Sequence, residues 1–132
     1  GRPTAVVLAS NTAGLPITAL AWATSRPERV IGWHWAQPAP IMRLAEIITH
    51  PTCAPRTVEL VCEVATRAGK NPVVIKDQPE IWGFVANRIN RAVRIEAARV
   101  VADQDQAVGL WCVLCMAVLP WVLALPAQGG AA

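Results

Sequence analysis

Apolar runs rich in β-branched residues alternate with helical patterns over the first 77 residues of the chain. Short runs of this kind are typical of buried strands, and the first of them favours a parallel sheet. The predicted strands cover residues 5–9, 30–35, 44–48 and 71–76, and the predicted helices cover residues 16–24 and 54–68. The resulting order, β-α-β-β-α-β, predicts an α/β layer.

The two predicted helices carry recognisable end signals. Pro16 is expected as the first residue of the first helix, because proline suits that position. In the second helix four apolar positions fall on one face. These positions are Val58, Val61, Cys62 and Ala65. Gly69 then follows as the expected C-terminal cap.

The pattern changes near residue 78. After a break at residues 78–80, apolar positions recur at three- and four-residue steps from residue 84 to residue 102, with arginines between them. This spacing predicts one long helix. We therefore assign residues 1–77 to the α/β domain and residues 78–106 to the start of a helical domain.

An apolar tail covers residues 107–132, and its first 19 residues, 107–125, contain no charge. This length is just enough to cross a bilayer as a helix. Pro120 interrupts it, and no Lys or Arg follows it. Three interpretations stay open: a C-terminal membrane anchor, a buried helix pair bent at Pro120, and non-native sequence from a shifted reading frame.

Composition narrows the class of protein. Hydrophobic residues make up 54% of the 132, which excludes a disordered chain. The net charge is +3 and the 12 basic residues are scattered, so nucleic-acid binding is not indicated. No secretory signal precedes the four cysteines, and reduced thiols in a cytoplasmic protein are expected. Cys112-x-x-Cys115 lacks the two further ligands of a zinc site, so we expect no metal.

His34 and Glu46 form a candidate acid/base pair. Oxidation of a secondary alcohol needs a base for the hydroxyl proton while hydride leaves the same carbon, and histidine suits this near neutral pH. His34 ends one predicted strand and Glu46 lies in the next, so the carboxylate could fix the imidazole ring. On these residues alone, a hydrogen-bonded histidine without catalytic role is the simpler alternative. His50 is interpreted as an ordinary loop residue.

Several linked motifs together resemble one known family. Ser10-Asn11-Thr12 precedes Gly32-Trp33-His34-Trp35, Glu46 follows His34 by twelve residues, and Gly83-Phe84-Val85-Ala86-Asn87-Arg88 comes later. In this order and spacing, residues 5–101 resemble the 3-hydroxyacyl-CoA dehydrogenases. The resemblance implies the C-terminal half of a Rossmann-type NAD-binding domain, followed by the first helix or helices of an all-α domain. Intact members usually form homodimers.

The resemblance also implies a reaction and a set of roles. The reaction is NAD-dependent oxidation of a 3-hydroxyacyl-CoA to a 3-ketoacyl-CoA, as in fatty-acid or butanoate metabolism. His34 would be the general base, and Glu46 would orient it. The implied substrate-side residues are Asn87 and Ser10, and the implied cofactor-side residues are Asn11, Ala13 and Gln37.

Three departures from the family pattern bear on this site. Ala13 stands where the family usually has serine, and Gln37 stands where it usually has asparagine. Glu80-Ile81-Trp82 is an addition before Gly83. We interpret it as a subfamily trait or a lengthened hinge, which leaves the placement of Asn87 open.

No G-x-G-x-x-G turn, which would hold the pyrophosphate of a dinucleotide, occurs in the 132 residues. Our leading expectation is therefore a truncated dehydrogenase that is inactive alone. One alternative is a non-enzymatic remnant held at a membrane or partner by residues 107–125. A dehydrogenase of small 3-hydroxy acids ranks last, since that class usually employs a lysine.

Overall fold

The structure, a computed structural model, describes residues 6–103 of the chain. Its elements in chain order are β1 (Leu8–Ser10), α1 (Ile17–Trp22), a 3-10 turn (Pro27–Arg29), β2 (Val30–Trp35), β3 (Leu44–Thr49), α2 (Pro55–Arg67), β4 (Asn71–Lys76) and α3 (Val85–Asp103). The predicted order β-α-β-β-α-β, followed by a long helix, is confirmed.

The four strands form one mixed sheet in the order β1-β2-β3-β4. β1 pairs with β2 in parallel, and so does β3 with β4, whereas β2 and β3 are antiparallel. The sheet thus contains the expected parallel pairing at both edges, and one antiparallel pair, β2–β3, lies between the two parallel pairs. The short connection between β2 and β3 explains this, because a parallel pair needs a long crossover.

One helix packs against each face of the sheet. On the α1 face the buried cluster comprises Ile17, Ala21, Val30, Ile48 and Phe84. On the α2 face it comprises Ile31, Ile47 and Val61. Successive residues of β2 alternate between the two clusters, as strand geometry requires. Burial on both faces accounts for the continuous apolar run that begins β2.

Gly32 allows α1 to approach β2 closely. A Cβ at this position would lie 2.8 Å from Ile17 Cγ1 and 2.8 Å from Ile48 Cβ. Glycine inside a strand often marks such a close approach. His34 lies two residues further along β2 and therefore projects from the same face as α1.

The four positions predicted to share one face of α2 are all buried or half-buried. The predicted cap is also confirmed, since Gly69 has a φ of +75°. The N–H of Lys70 donates to the Ala65 carbonyl, and the N–H of Gly69 donates to Thr66, both at 2.9 Å. These two bonds satisfy the last carbonyls of the helix.

His50 lies in a loop, as predicted, but it is buried rather than exposed. This residue follows β3 outside regular structure, yet it is only 6% exposed. Its Nε2 donates to the Val30 carbonyl at 2.9 Å, and its Nδ1 lies 3.1 Å from Thr52 Oγ1. Both polar atoms of the ring are therefore satisfied inside the protein, which makes His50 a structural residue.

Several boundaries differ from the predicted ones by one to three residues. β1 begins at Leu8, later than predicted. α1 ends at Trp22, shorter than predicted, and Pro16 is its N-cap rather than its first residue.

The described residues divide into two units, one up to Arg88 and one from Ile89 onward. The first turn of α3 thus belongs with the sheet, and the boundary near residue 78 stays a prediction. The tail over residues 107–132 and its three interpretations lie outside the described residues. Between residues 6 and 103, no helix combines the length and the apolar character needed to cross a bilayer.

Candidate active site

The β2–β3 hairpin places His34 directly opposite Glu46. The two residues are register partners in the antiparallel pair, so their side chains project from the same face at short range. His34 Nδ1 lies 2.7 Å from Glu46 Oε2. The twelve-residue spacing of the sequence thus becomes one cross-strand contact.

Glu46 is buried, with 4% of its side chain exposed. A carboxylate without partners would be costly in such a setting, but both oxygens are engaged. Oε2 faces His34, and Oε1 accepts a hydrogen bond from the backbone N–H of Ala86 at 2.9 Å. Ala86 is the second residue of α3, so the carboxylate also lies at the positive end of that helix.

The carboxylate decides which nitrogen of His34 is available for chemistry. An ionised carboxylate can only accept, so Nδ1 carries the hydrogen of the neutral ring and Nε2 keeps its lone pair. The side chain is 12% exposed, and its ring is tilted against Phe84 with the centroids 5.6 Å apart. His34 is therefore an oriented base at the carboxyl end of β2.

The loop after β1 reaches the same end of the sheet. Asn11 Oδ1 accepts a hydrogen bond from the backbone N–H of Trp35 at 3.0 Å, which joins the carboxyl ends of β1 and β2. Ser10 is half-buried, and its Oγ accepts from the N–H of Thr12 at 3.4 Å. Both predicted residues of this loop thus make contacts that shape the loop beside His34.

Asn87 lies against this loop. Its Nδ2 donates to the carbonyl of Ala13 at 3.2 Å, across 74 positions of sequence. The added segment before Gly83 does not separate α3 from the loop, because Trp82 packs on Gly14. The structure thus brings Asn87 and Ala13 together, and Asn87 directly follows Ala86, whose amide contacts Glu46.

Gln37 follows β2 and is exposed. Its Oε1 accepts from the N–H of Ala39 at 3.3 Å, inside the loop that joins β2 to β3. Lys70 contacts this loop through its ammonium group, which donates to the carbonyls of Ala39 and Met42. The same ammonium lies 5.1 Å from the centre of the Trp35 ring. The loop beside His34 is thereby tied to the α2–β4 turn.

Two contacts of the site could not be predicted from the types of residue in the sequence. The Ala86 amide acts through its backbone, which every residue other than proline carries. Lys70 acts on two carbonyls of a distant loop, and its sequence neighbours give no sign of this. Gly83 is the one residue nearby that indicates where α3 starts, because its φ of +86° suits the turn before the helix.

The described residues fit one end of a dinucleotide. Exposed carboxamides from Asn11 and Gln37 lie at the carboxyl ends of β1 and β2, where α/β sheets bind ligands. The contact of Asn11 with Trp35 uses Oδ1 and not Nδ2. These groups suit a nicotinamide, whereas the glycine-rich turn for a pyrophosphate is not among the 132 residues.

Comparison with known proteins gives a consistent result. Residues 2–78 match the family model of the 3-hydroxyacyl-CoA dehydrogenase NAD binding domain. The chain is 44% identical over 95 residues to the fatty acid oxidation complex subunit alpha of Idiomarina loihiensis, covering 72% of this chain and 13% of that protein. It is 42% identical over 97 residues to a probable 3-hydroxybutyryl-CoA dehydrogenase of Deinococcus radiodurans, covering 74% and 34%.

A solved structure agrees with these relatives. The crystal structure of 3-hydroxybutyryl-CoA dehydrogenase from Escherichia coli K12 superposes with a TM-score of 0.70 at 38% identity, covering 77% of this chain and 21% of that chain. The Rossmann-like character of the predicted fold is thereby confirmed. In each of these comparisons the chain spans about a third or less of the relative's length.

Proposed function

The chain belongs to the 3-hydroxyacyl-CoA dehydrogenase family through its NAD binding domain, and we propose that it carries the acid/base half of that enzyme's active site. The substrate class is an acyl-CoA with a hydroxyl at C3, and the cofactor is NAD. The observation that carries the proposal is the buried contact between His34 Nδ1 and Glu46 Oε2 at 2.7 Å.

The proposed step is oxidation of the 3-hydroxyl to a ketone. The O–H proton transfers to His34 Nε2, the carbon–oxygen double bond forms, and the hydrogen on C3 leaves as hydride. Bound NAD supplies the hydride acceptor. Glu46 stabilises the imidazolium that forms, since its carboxylate already faces Nδ1. In the reverse direction the same imidazolium returns the proton to the substrate oxygen.

Other described residues have supporting roles in this proposal. Asn87 and Ser10 lie on the substrate side, and Asn87 is held against Ala13. Asn11 and Gln37 lie on the cofactor side, where their exposed carboxamides are available to the nicotinamide. Ala13 offers only its backbone, since it has no hydroxyl.

We further propose that the 132 residues turn over slowly on their own, because they contain no G-x-G-x-x-G turn for the pyrophosphate. Activity is therefore tested in a chimera. The 97 residues of this chain that match the Deinococcus radiodurans relative replace the corresponding region of that protein.

The chimera should oxidise 3-hydroxybutyryl-CoA with NAD, followed as NADH absorbance. Free 3-hydroxybutyrate should react far more slowly, since the proposal names an acyl-CoA. Equal turnover of the free acid would contradict the substrate class. A folded chimera without turnover of either compound would contradict the proposed function itself.

A further inference from the structure

We propose that the backbone N–H of Ala86 makes Oε1 of residue 46 an obligatory acceptor, so that the group at Oε2 alone decides the tautomer of His34. This inference rests on the proposed function for its meaning, since the tautomer decides whether Nε2 can accept a proton. Ala86 is a positioning residue here, because it acts on His34 only through Glu46.

Glu46 is confined between two fixed groups. Oε1 lies 2.9 Å from the Ala86 nitrogen, and Oε2 lies 2.7 Å from His34 Nδ1. Only 4% of the side chain is exposed, so water has little access to either oxygen. Every hydrogen-bonding choice at one oxygen is thus tied to the choice at the other.

A backbone N–H can only donate. The oxygen that faces Ala86 must therefore accept, whatever the state of the rest of the side chain. In the ionised carboxylate the second oxygen accepts as well, and His34 Nδ1 supplies the hydrogen. The two donors, Ala86 N–H and His34 Nδ1–H, thus converge on Glu46, and the lone pair of the neutral His34 ring lies on Nε2.

The amide also belongs to a helix that favours negative charge at this point. α3 covers 19 residues, from Val85 to Asp103, and Ala86 lies in its first turn. The first amides of a helix have no partner within it, and the helix dipole places positive potential there. Both effects favour an accepting oxygen at this point, which is the role that Oε1 of Glu46 has.

The same segment fixes the ring from a second side. Phe84, two residues before Ala86, lies against His34 with 5.6 Å between ring centroids. The turn into α3 therefore contacts both members of the pair, one by a backbone donor and one by an aromatic ring. The contact with Glu46 spans 40 positions of sequence, so the start of α3 and the acid/base pair are coupled in three dimensions.

Glu46→Gln tests the inference because an amide has one accepting and one donating end. The Ala86 N–H should force the introduced oxygen toward itself and the NH2 group toward His34. His34 Nδ1 must then accept, and its hydrogen moves to Nε2. Without the directing N–H of Ala86, the side-chain amide of the introduced glutamine could adopt either orientation.

The measurement is the tautomer of His34 in the full 132-residue chain labelled with 15N-histidine, read from long-range 1H–15N NMR spectra. The chain has two histidines, and His50 is an internal reference. Its Nε2 faces the carbonyl of Val30, so hydrogen must lie on Nε2. The unsubstituted chain should show one histidine of each tautomer.

In Glu46→Gln we expect both histidines as the Nε2–H form, with His50 unchanged as evidence of an intact fold. A His34 that keeps hydrogen on Nδ1, or an even mixture of tautomers, overturns the inference. Glu63→Gln is the matched control, since Glu63 is an exposed carboxylate on α2. It should leave both signals as they are.

A second variant tests the Ala86 donor directly, and both variants are measured in the chimera if Glu46→Gln unfolds the 132-residue chain. Glu46→Gln combined with Ala86→Pro removes the directing N–H, and proline is tolerated in the first turn of a helix. His34 should then recover a substantial Nδ1–H fraction, whereas Val85→Pro in its place should not have this effect. An unchanged Nε2–H signal after Ala86→Pro overturns the inference. Failure of the proposed function would appear separately, as absent turnover in the chimera.

Discussion

Gly14 lies against the indole of Trp82, so closely that a Cβ at position 14 would be 2.7 Å from Trp82 Cε2. The contact joins the loop after β1 to the segment that precedes α3. Trp82 is 60% exposed, so this packing, rather than burial in the core, is what positions it. The relationship explains how the added Glu80-Ile81-Trp82 is accommodated beside the candidate site.

Gly14→Ala should destabilise the chain by about 1 kcal/mol or less, because the exposed indole can move aside. The cost should fall when Trp82→Ala is present, and what remains is the contact with the Gly83 backbone nitrogen at 3.1 Å. A double-mutant cycle from urea unfolding measures this coupling. Additive free energies in the cycle would mean that the two residues do not interact.

Gly32→Ala should be more damaging, because both clashing side chains belong to the buried core. Its Cβ would meet Ile17 and Ile48 at 2.8 Å, and overpacking of this kind costs about 1–3 kcal/mol. Chemical denaturation gives the change in the free energy of unfolding. Gly69→Ala is the comparison, because a Cβ there would meet no atom and the only cost is the positive φ. A smaller cost for Gly32→Ala than for Gly69→Ala would contradict the close packing of α1.

Lys70→Met should loosen the loop between β2 and β3. The ammonium donates to Ala39 and Met42, and loss of such bonds costs roughly 1–3 kcal/mol. We expect faster amide hydrogen exchange at Ile41 and Met42, whose N–H groups donate to Pro38 within the loop. Lys76→Met, at an exposed position after the same turn, is the control and should leave these amides unchanged.

Cys53 and Cys62 should alkylate slowly in the folded chain. Burial raises the pKa of both thiols, so each carries less reactive thiolate at a given pH. The raised pKa values also link folding to pH. Their contribution to the free energy of unfolding is fully present below the ordinary cysteine pKa and is lost as the pH rises through the raised pKa of the folded chain. Iodoacetamide labelling followed by peptide mass spectrometry, with and without urea, measures the protection. Equal rates in both conditions would contradict it.

The sequence was a good guide where local chemistry decides the structure. β2 and β4 have the predicted bounds, because β-branched runs are ended there by loop residues. The cap at Gly69 was predictable for the same reason, since only glycine adopts its backbone conformation without cost. The direct opposition of His34 and Glu46 followed from two adjacent strands joined by a proline-rich loop.

Long-range contacts account for what the sequence did not reveal. His50 sits in a loop by local pattern, yet it is buried because the carbonyl of Val30, 20 positions away, receives its Nε2 hydrogen. The Ala86 amide has no residue-type signature at all. The antiparallel β2–β3 pair follows from loop length rather than from the composition of either strand.

The most direct test of the central claim is single-turnover hydride transfer in the chimera with His34→Gln, at saturating NAD and 3-hydroxybutyryl-CoA. Removal of a general base typically slows the step by about 10²–10⁴-fold, and we expect a loss in that range. Glu63→Gln should retain the parent rate. A His34→Gln chimera that transfers hydride as fast as its parent would contradict the account, because His34 would then not be the base.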